Sequence, residues 1–360
     1  MAFKDLIASN KLMRTKITKW LILSLVFLLI FAIPLVLNKD ISPIDDSSMI
    51  LPVVSVPPSE NSFYDLNKIS EITVPVRLTK RANQLKDFLT SDTLGSADAE
   101  TLLNDNKIAL EYFTDASQKP KFQSPATADP KDMSQEIIAM NAWRQAAQLN
   151  CLQAIWLAKN GKGEEALAEG LKVMAVGDAI EKSQTNLITY LVGLTMKENA
   201  IDTLQKILTI TVINDSLRQE YQEKIANYDL SNNTSPWKFE YLVRKNSIEK
   251  IATGNYDISD VSIPKYTSLE TNYYFKPNLS VKELFAYYSD LIDASQDPCL
   301  KRKALGESES SSELKLKLLF TENAVSKVLI NSSDAAFQGS LDSKCRIKNK
   351  YSELLTAFSK

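Results

Sequence analysis

The sequence predicts an all-α protein with an N-terminal transmembrane helix followed by an antiparallel helical-hairpin, solenoid-like ectodomain. Three observations support this fold class. Residues 20–37 form an uncharged apolar run. Downstream, long segments rich in Ala, Leu, Glu, Lys and Gln repeat apolar residues at three-and-four spacing. Gly and Pro cluster between those segments.

Composition excludes several classes of function. The 42 Lys and Arg residues balance 44 Asp and Glu, so no basic field favours nucleic acid. The absence of histidine excludes Ser-His-Asp triads, Cys-His dyads and His-ligated zinc. The nine glycines form no phosphate-binding cluster, and no CxxC pair or D-x-D-x-D-G calcium loop occurs. We therefore predict no metal and no cofactor.

The apolar run WLILSLVFLLIFAIPLVL, residues 20–37, predicts a transmembrane helix. Its 18 residues contain no charge and would span about 27 Å as a helix, close to the thickness of a bilayer core. A cleavable signal peptide is the alternative, but its apolar region is usually about 7–15 residues long and ends at a small-x-small site. This run ends in PLVLN without such a site, which favours an uncleaved signal-anchor.

The charges that flank the run predict the orientation. The first 19 residues carry a net charge of +4 from Lys4, Lys11, Arg14, Lys16 and Lys19 against Asp5. Because basic flanks stay on the cytoplasmic side, the N-terminus is expected in the cytoplasm and the ectodomain outside it. The lipid bilayer is thus one predicted partner, contacted through residues 20–37.

The chain divides into six predicted regions. These are a cytoplasmic basic N-terminus (1–19), the transmembrane helix (20–37), a Pro-containing stalk (38–60), a helical domain (61–254), an aromatic-rich loop (255–279) and a C-terminal helical subdomain (280–360). Four prolines and no glycine in the stalk indicate a semi-extended segment. Its apolar patch Met49–Val56 has two alternative contacts, the helical domain or the bilayer surface.

Apolar spacing and Gly or Pro breaks predict the helices in the ectodomain. They cover residues 61–72, 79–91, 97–117, 133–160, 163–181, 184–209, 215–228, 235–253, 280–295, 313–331 and 334–358. The start of 313–331 alternates Leu and Lys, and a strand is the alternative there.

The helix over 133–160 is the most informative element. Two apolar stripes run along it, Met140-Trp143-Ala147-Cys151-Ala154-Ala158 and Ile138-Ala142-Leu149-Leu152-Trp156. A helix that is apolar on more than one face needs neighbours on two sides. We therefore expect it to form the core with the next two helices, which carry Gly170 and Gly193 as sites of close approach.

The segment AIWLAKNGKGEEALAEGLKVM, Ala154–Met174, resembles a tetratricopeptide-type helix hairpin. It has a helix rich in small residues, a glycine turn and then EEAL, although a 34-residue repeat is not maintained. Generic antiparallel helices are the alternative. Through the strings NAWRQAAQL, TYLVGL and NAVSKVLI, the ectodomain also looks like uncharacterised single-pass bacterial envelope proteins, a resemblance that implies location but no activity.

Two candidate sites follow from side-chain types. Residues 256–288 are rich in aromatic residues, which give an apolar face with a polar tip for an extended peptide or glycan. The candidate groove residues are Tyr256, Tyr266, Tyr273, Tyr274, Phe275, Tyr287 and Tyr288, and the alternative is that these rings pin the loop to the helices. Cys299 and Cys345 could form a disulfide in an oxidising compartment.

Taken together, these features favour a membrane-anchored extracytoplasmic binding or scaffold module over an enzyme. Its partner would be another envelope protein or a second copy of the chain. The alternative is a hydrolase of cell-envelope polymer that uses Asp and Glu as acid and base, because histidine chemistry is unavailable. No catalytic residue can be named from the sequence.

Overall fold

A computed structural model describes residues 24–25, 40–72, 96–125, 130–253, 275–300, 323 and 334–359. Within these residues the protein is all-α, as predicted, apart from one isolated backbone bridge between Asn61 and Lys121. The described helices are α1 Phe63–Glu71, α2 Ser96–Asp105, α3 Lys107–Ser117, α4 Pro130–Lys159, α5 Gly163–Glu181, α6 Leu187–Ile210, α7 Asp215–Ala226, α8 Ser235–Ala252, α9 Pro277–Gln296 and α10 Asp334–Phe358.

Several predicted elements lie outside the described residues. They include the helices 79–91 and 313–331 and most of the predicted span 20–37, of which only residues 24 and 25 are described, both helical. Among the helices that the structure describes, none combines the length and the apolar character needed to cross a bilayer.

Local chemistry explains where the central helices begin and end. Gly161 follows α4 with a φ of +75°, the left-handed conformation that glycine adopts at a helix C-terminus. Asn186 precedes α6, and its side-chain oxygen accepts a hydrogen bond from the Thr189 N–H at 2.8 Å. Asn214 caps α7 in the same way, through the Leu217 N–H at 2.8 Å.

The predicted helix over 97–117 is two helices in the structure. The break falls at Asn106, whose side-chain amide donates to the Leu102 carbonyl at 2.8 Å. Asparagine competes with the backbone for hydrogen bonds and so interrupts helices easily. The apolar spacing continues across the break, which is why the sequence indicated one helix.

Helices α4, α5 and α6 each contact the other two and form the centre of the core, as predicted. The stripe from Met140 to Ala158 is buried along its whole length. On either side the helices pack in two rows. One row runs α1, α4, α6 and α10, and the other runs α3, α5 and α7. Helices α8 and α9 pack against each other and against the end of the first row.

Residues 40–60 lie against the helical domain, which differs from the stalk expected from their prolines. Met49 is 3% exposed and belongs to the core. Asn61 and Ser62 continue the attachment through backbone and side-chain hydrogen bonds to residues 121–123. A short 3-10 helix covers Ser47–Met49, and the side chains of Asp40, Asp46 and Met49 find partners on the domain.

Candidate functional site

The strongest concentration of buried charge lies where α5 crosses α6. Asp178 and Glu181 are one turn apart on α5, and Lys197 is on α6. Lys197 and Glu181 are both completely buried, and Asp178 is 8% exposed. Charged side chains are seldom this buried unless they are paired.

Lys197 holds the two carboxylates together. Its Nζ donates to Asp178 Oδ1 at 2.9 Å, lies 3.5 Å from Glu181 Oε2, and donates to the Asp229 carbonyl at 3.2 Å. Glu181 also accepts from the hydroxyl of Ser231 at 2.7 Å. Each of the three charged groups of this cluster therefore has a partner, as a buried ion pair requires.

Two glycines make this crossing possible. A Cβ at Gly177 would lie 2.9 Å from the Gly193 carbonyl oxygen and equally close to the backbone nitrogen of Lys197. A Cβ at Gly193 would meet the backbone nitrogen of Glu181 at 2.9 Å. The two backbones are thus in direct contact, and this contact places Lys197 beside the carboxylates of α5.

Helix α10 adds a second buried lysine to the region. The Nζ of Lys344 donates to the Ser295 carbonyl near the end of α9 at 3.1 Å. Burial lowers the pKa of Lys344, while the charge of Glu181 acts in the opposite direction. The cluster therefore links α5, α6, α9 and α10.

The geometry of this cluster fits a structural role and not a catalytic one. The carboxylates of Asp178 and Glu181 converge on the same ammonium group, that of Lys197, and are engaged in ion pairs. No group of three Cys, Asp or Glu side chains in the described residues could hold a metal ion. The cluster fixes the register of α5 on α6, a use of buried polar groups known from helical assemblies.

Neither of two surface clefts beside α10 brings two carboxylates together. A cleft of about 560 Å³ is lined by Gln205, Leu208, Thr209, Arg218, Ser352, Glu353, Thr356 and Ala357. A second, of about 630 Å³, is lined by Pro298, Cys299, Leu300, Gln338, Leu341, Asp342, Cys345, Arg346 and Asn349. Glu353 is the single acid in the first lining, and Asp342 is the single acid in the second.

The second notable site is the attachment of residues 40–56. The carboxylate of Asp40 accepts from the backbone N–H groups of Asn278 at 2.8 Å and Leu279 at 3.0 Å, in the first turn of α9. These N–H groups have no partner within the helix, and a carboxylate opposes the positive end of the helix dipole. Asp40 therefore fastens the start of the segment to α9.

Asp46 fastens the same segment to α8. Its Oδ2 accepts from the hydroxyl of Tyr241 at 2.5 Å and from the Nζ of Lys245 at 2.7 Å. Burial raises the pKa of the Asp46 carboxyl, but the hydrogen bonds from Lys245 and Tyr241 outweigh it and hold the pKa below its usual value. The pKa of Tyr241 is raised by its own burial and by the Asp46 carboxylate.

Three predicted groove residues belong to the core instead of lining a groove. Phe275, Tyr287 and Tyr288 are 6%, 8% and 0% exposed. The Tyr288 ring packs edge-on against Phe337 at 5.5 Å and Tyr241 at 6.0 Å between centroids. The remaining candidates, Tyr256, Tyr266, Tyr273 and Tyr274, lie outside the described residues. The described rings thus fill the space between α8, α9 and α10 because their large apolar faces favour burial.

Cys299 and Cys345 form a disulfide that joins the end of α9 to α10, with 4.9 Å between the Cα atoms. Cys299 is exposed, and both cysteines border the larger cleft. Cys151, the remaining cysteine, is buried, and burial raises the pKa of its thiol to about 12. It is a small core residue, as its position in the apolar stripe indicates.

The charged cluster was missed by the sequence analysis, although one signal was present. Lys197 continues a buried stripe of α6 that includes Tyr190, Leu194 and Ile201. A lysine at such a position needs a buried acid, and Asp178 and Glu181 interrupt an equally apolar stretch of α5. Asp40 and Asp46 carried no comparable signal, because their partners lie far away in the sequence.

Comparison with known proteins gives no relative from which a role could be transferred: no protein-family model, no curated protein and no solved structure matches the chain. The site must be interpreted from its own geometry.

Proposed function

We propose that this chain is a single-pass membrane protein whose helical ectodomain lies outside the cytoplasm and acts as a binding or scaffold module. One observation carries the proposal. The segment that directly follows the apolar run 20–37 is fastened to the domain through Asp40, Asp46 and Met49. An anchor helix would then hold the domain at the bilayer surface without a free linker.

The all-α architecture supports binding. The two rows of helices are the arrangement expected of a short helical-hairpin solenoid, and such stacks present surfaces to partner proteins. We propose that the partner is an envelope protein or a second copy of the chain. The cleft between α6, α7 and α10 is the surface we assign to it, because its lining combines amide, hydroxyl and charged side chains with Leu208 and Ala357.

The placement of the carboxylates favours a binding role over hydrolysis of an envelope polymer. Acid-base cleavage of a glycosidic bond needs two carboxyl groups about 5–10 Å apart on either side of an open site. Each of these two clefts has one acid in its lining, and the converging pair Asp178 and Glu181 is buried and held in ion pairs with Lys197 and, at Asp178, with Lys182.

Cysteine labelling in intact cells tests the orientation. Val212 is 98% exposed on the domain, so Val212→Cys should react with a membrane-impermeant maleimide added outside. Lys4→Cys should react only after lysis. The native cysteines give little background, since Cys151 is buried and the other two are bonded together. Labelling of Val212→Cys only after lysis would contradict the proposal.

Site-specific photo-crosslinking tests the binding surface. A photoreactive residue at Thr356, in the cleft, should give a discrete adduct in the native membrane, which mass spectrometry then identifies. The matched control is Ile108 on α3, which is exposed and lies outside the cleft. Adducts of equal yield from both positions, or from neither, would argue against a binding role for this cleft.

A further inference from the structure

The docked segment contains an uncharged stretch in which three apolar side chains are exposed to solvent. Residues 47–59 contain no Asp, Glu, Lys or Arg. Within them Ile50 is 62% exposed, Val53 101% and Val54 43%. Single exposed apolar residues are common, but three within five positions form a patch, here called the Ile50–Val54 strip.

This strip is held in place from both sides. Met49 is buried in the core just before it. After it, the Val54 carbonyl accepts from the side-chain amide of Gln123 at 2.5 Å, and the Val56 N–H donates to the same amide at 2.7 Å. Pro52 restricts the backbone between these points. The strip therefore cannot turn its valines inward without breaking contacts on either side.

The position of the strip in the chain indicates what covers it. Asp40 is fixed to the first turn of α9 and stands three residues after Leu37, the last residue of the apolar run. Three residues span about 10 Å at most, so an anchor in the bilayer keeps this end of the segment at the membrane surface. Ile50 follows ten residues later on the same docked segment.

We propose that the Ile50–Val54 strip inserts into the interfacial region of the same bilayer that holds residues 20–37. The inference rests on the proposed function, because it requires the anchor. The chemistry suits lipid: isoleucine and valine gain from leaving water, and no charge within 47–59 has to be desolvated. The strip and the anchor would together fix the domain's orientation on the membrane.

Nitroxide labels on the full chain, reconstituted in phosphatidylethanolamine–phosphatidylglycerol vesicles, test this inference. The strip variant is Val53→Cys, and its control is Val212→Cys, a valine of nearly equal exposure elsewhere on the domain. Leu28→Cys reports the anchor itself. Collision rates with oxygen, which concentrates in lipid, and with a nickel chelate, which stays in water, are measured for each label.

We expect an oxygen-to-nickel ratio several-fold higher at Val53 than at Val212, and the highest ratio at Leu28. Equal ratios at Val53 and Val212 with a lipid-like ratio at Leu28 would overturn the inference and leave the anchor intact. A Val53 label shielded from both reagents would also overturn it, because a protein surface would then cover the strip. A water-like ratio at Leu28 would overturn the proposed function as well.

Discussion

The ammonium group of Lys197 lies 2.9 Å from the carboxylate of Asp178, at a crossing of two helices where the lysine has no contact with solvent. The carboxylate of Glu181 lies 3.5 Å from the same ammonium group, so the three side chains form a buried triad. Buried charges of this kind contribute little net stability while paired, but one left without its partner is costly.

Replacement of the lysine should therefore destabilise the fold strongly. In Lys197→Met the buried carboxylate of Glu181 loses its ion pair, while Asp178 keeps its second pair with Lys182. We expect a loss of about 3–5 kcal/mol in the free energy of unfolding, measured by denaturant titration. Adding Glu181→Gln to Lys197→Met should recover part of that loss, because one buried charge is removed. Strictly additive losses would show that the two residues are not coupled.

The close crossing of α5 and α6 should not tolerate a methyl group. In Gly177→Ala and Gly193→Ala the new Cβ would lie 2.9 Å from backbone atoms of the facing helix. Backbone cannot move aside as a flexible side chain does, so each variant should lose about 3 kcal/mol or more of unfolding free energy.

Gly339 in α10 is the matched control for this pair. A Cβ there would meet nothing within 4 Å, so Gly339→Ala should gain about 0.5–1 kcal/mol from helix propensity. Thermal denaturation of the three variants under one condition compares them. A similar loss in all three would contradict a specific role of the crossing, because helix propensity favours alanine at each position.

The attachment of residues 40–56 should weaken as the pH falls. The pKa of Asp46 is lower in the folded protein than in the unfolded chain, so its contribution is complete above the unfolded pKa. The contribution is lost as the pH falls through the folded pKa. The protection factors of the hydrogen-bonded amides in 41–56, which correct for the intrinsic pH dependence of exchange, should fall over that acidic range.

Asp46→Asn should produce the same opening at neutral pH. Hydrogen bonds to charged groups contribute about 1.5–3 kcal/mol, so local opening should become roughly tenfold more frequent or greater. Asp45→Asn removes the same charge one residue earlier, where the carboxylate accepts from the nearby Ser47, including its N–H at 3.0 Å, and, within the described residues, no hydrogen bond or ion pair with α8 is seen. Its exchange rates should stay close to those of the unmodified chain. Equal acceleration by both variants would refute the role of Asp46.

The disulfide should stabilise the last two described helices. It closes a separation of 46 residues, and the entropy removed from the unfolded chain corresponds to about 4 kcal/mol. The variant Cys299→Ser with Cys345→Ser should unfold at correspondingly lower denaturant concentration. A reductant should lower the stability of the unmodified chain and leave the variant unchanged. If reductant affects both equally, the disulfide is not the cause.

The sequence predicted the parts of this fold that depend on local pattern. The stripe from Met140 to Ala158 predicted the central helix, and Gly161 predicted its end. The break at Asn106 was missed because apolar spacing continues across it. The attachment of Asp46 to Tyr241 joins residues 195 positions apart, and that of Asp40 to Asn278 spans 238 positions. No local pattern encodes such pairings, since they depend on how helices already formed lie against one another.

The same limit applies to the candidate sites. Tyr287 and Tyr288 have the side chains of a binding groove, but helix α9 turns them towards Phe337 and the core. Lys197 meets Asp178 only because two glycines fix the crossing of α5 and α6. Residue types alone could not distinguish these buried roles from exposed ones.

A free segment over 38–60 would contain 23 residues and, in extended form, would let a domain travel about 70 Å from its point of origin. The hydrogen bonds from the first turn of α9 to the carboxylate of Asp40 remove that freedom. If the apolar run is embedded in lipid and the domain binds a partner, that partner must come within one domain's width of the membrane. A rotation of the embedded helix would then be transmitted to the first turn of α9 through the few residues between them.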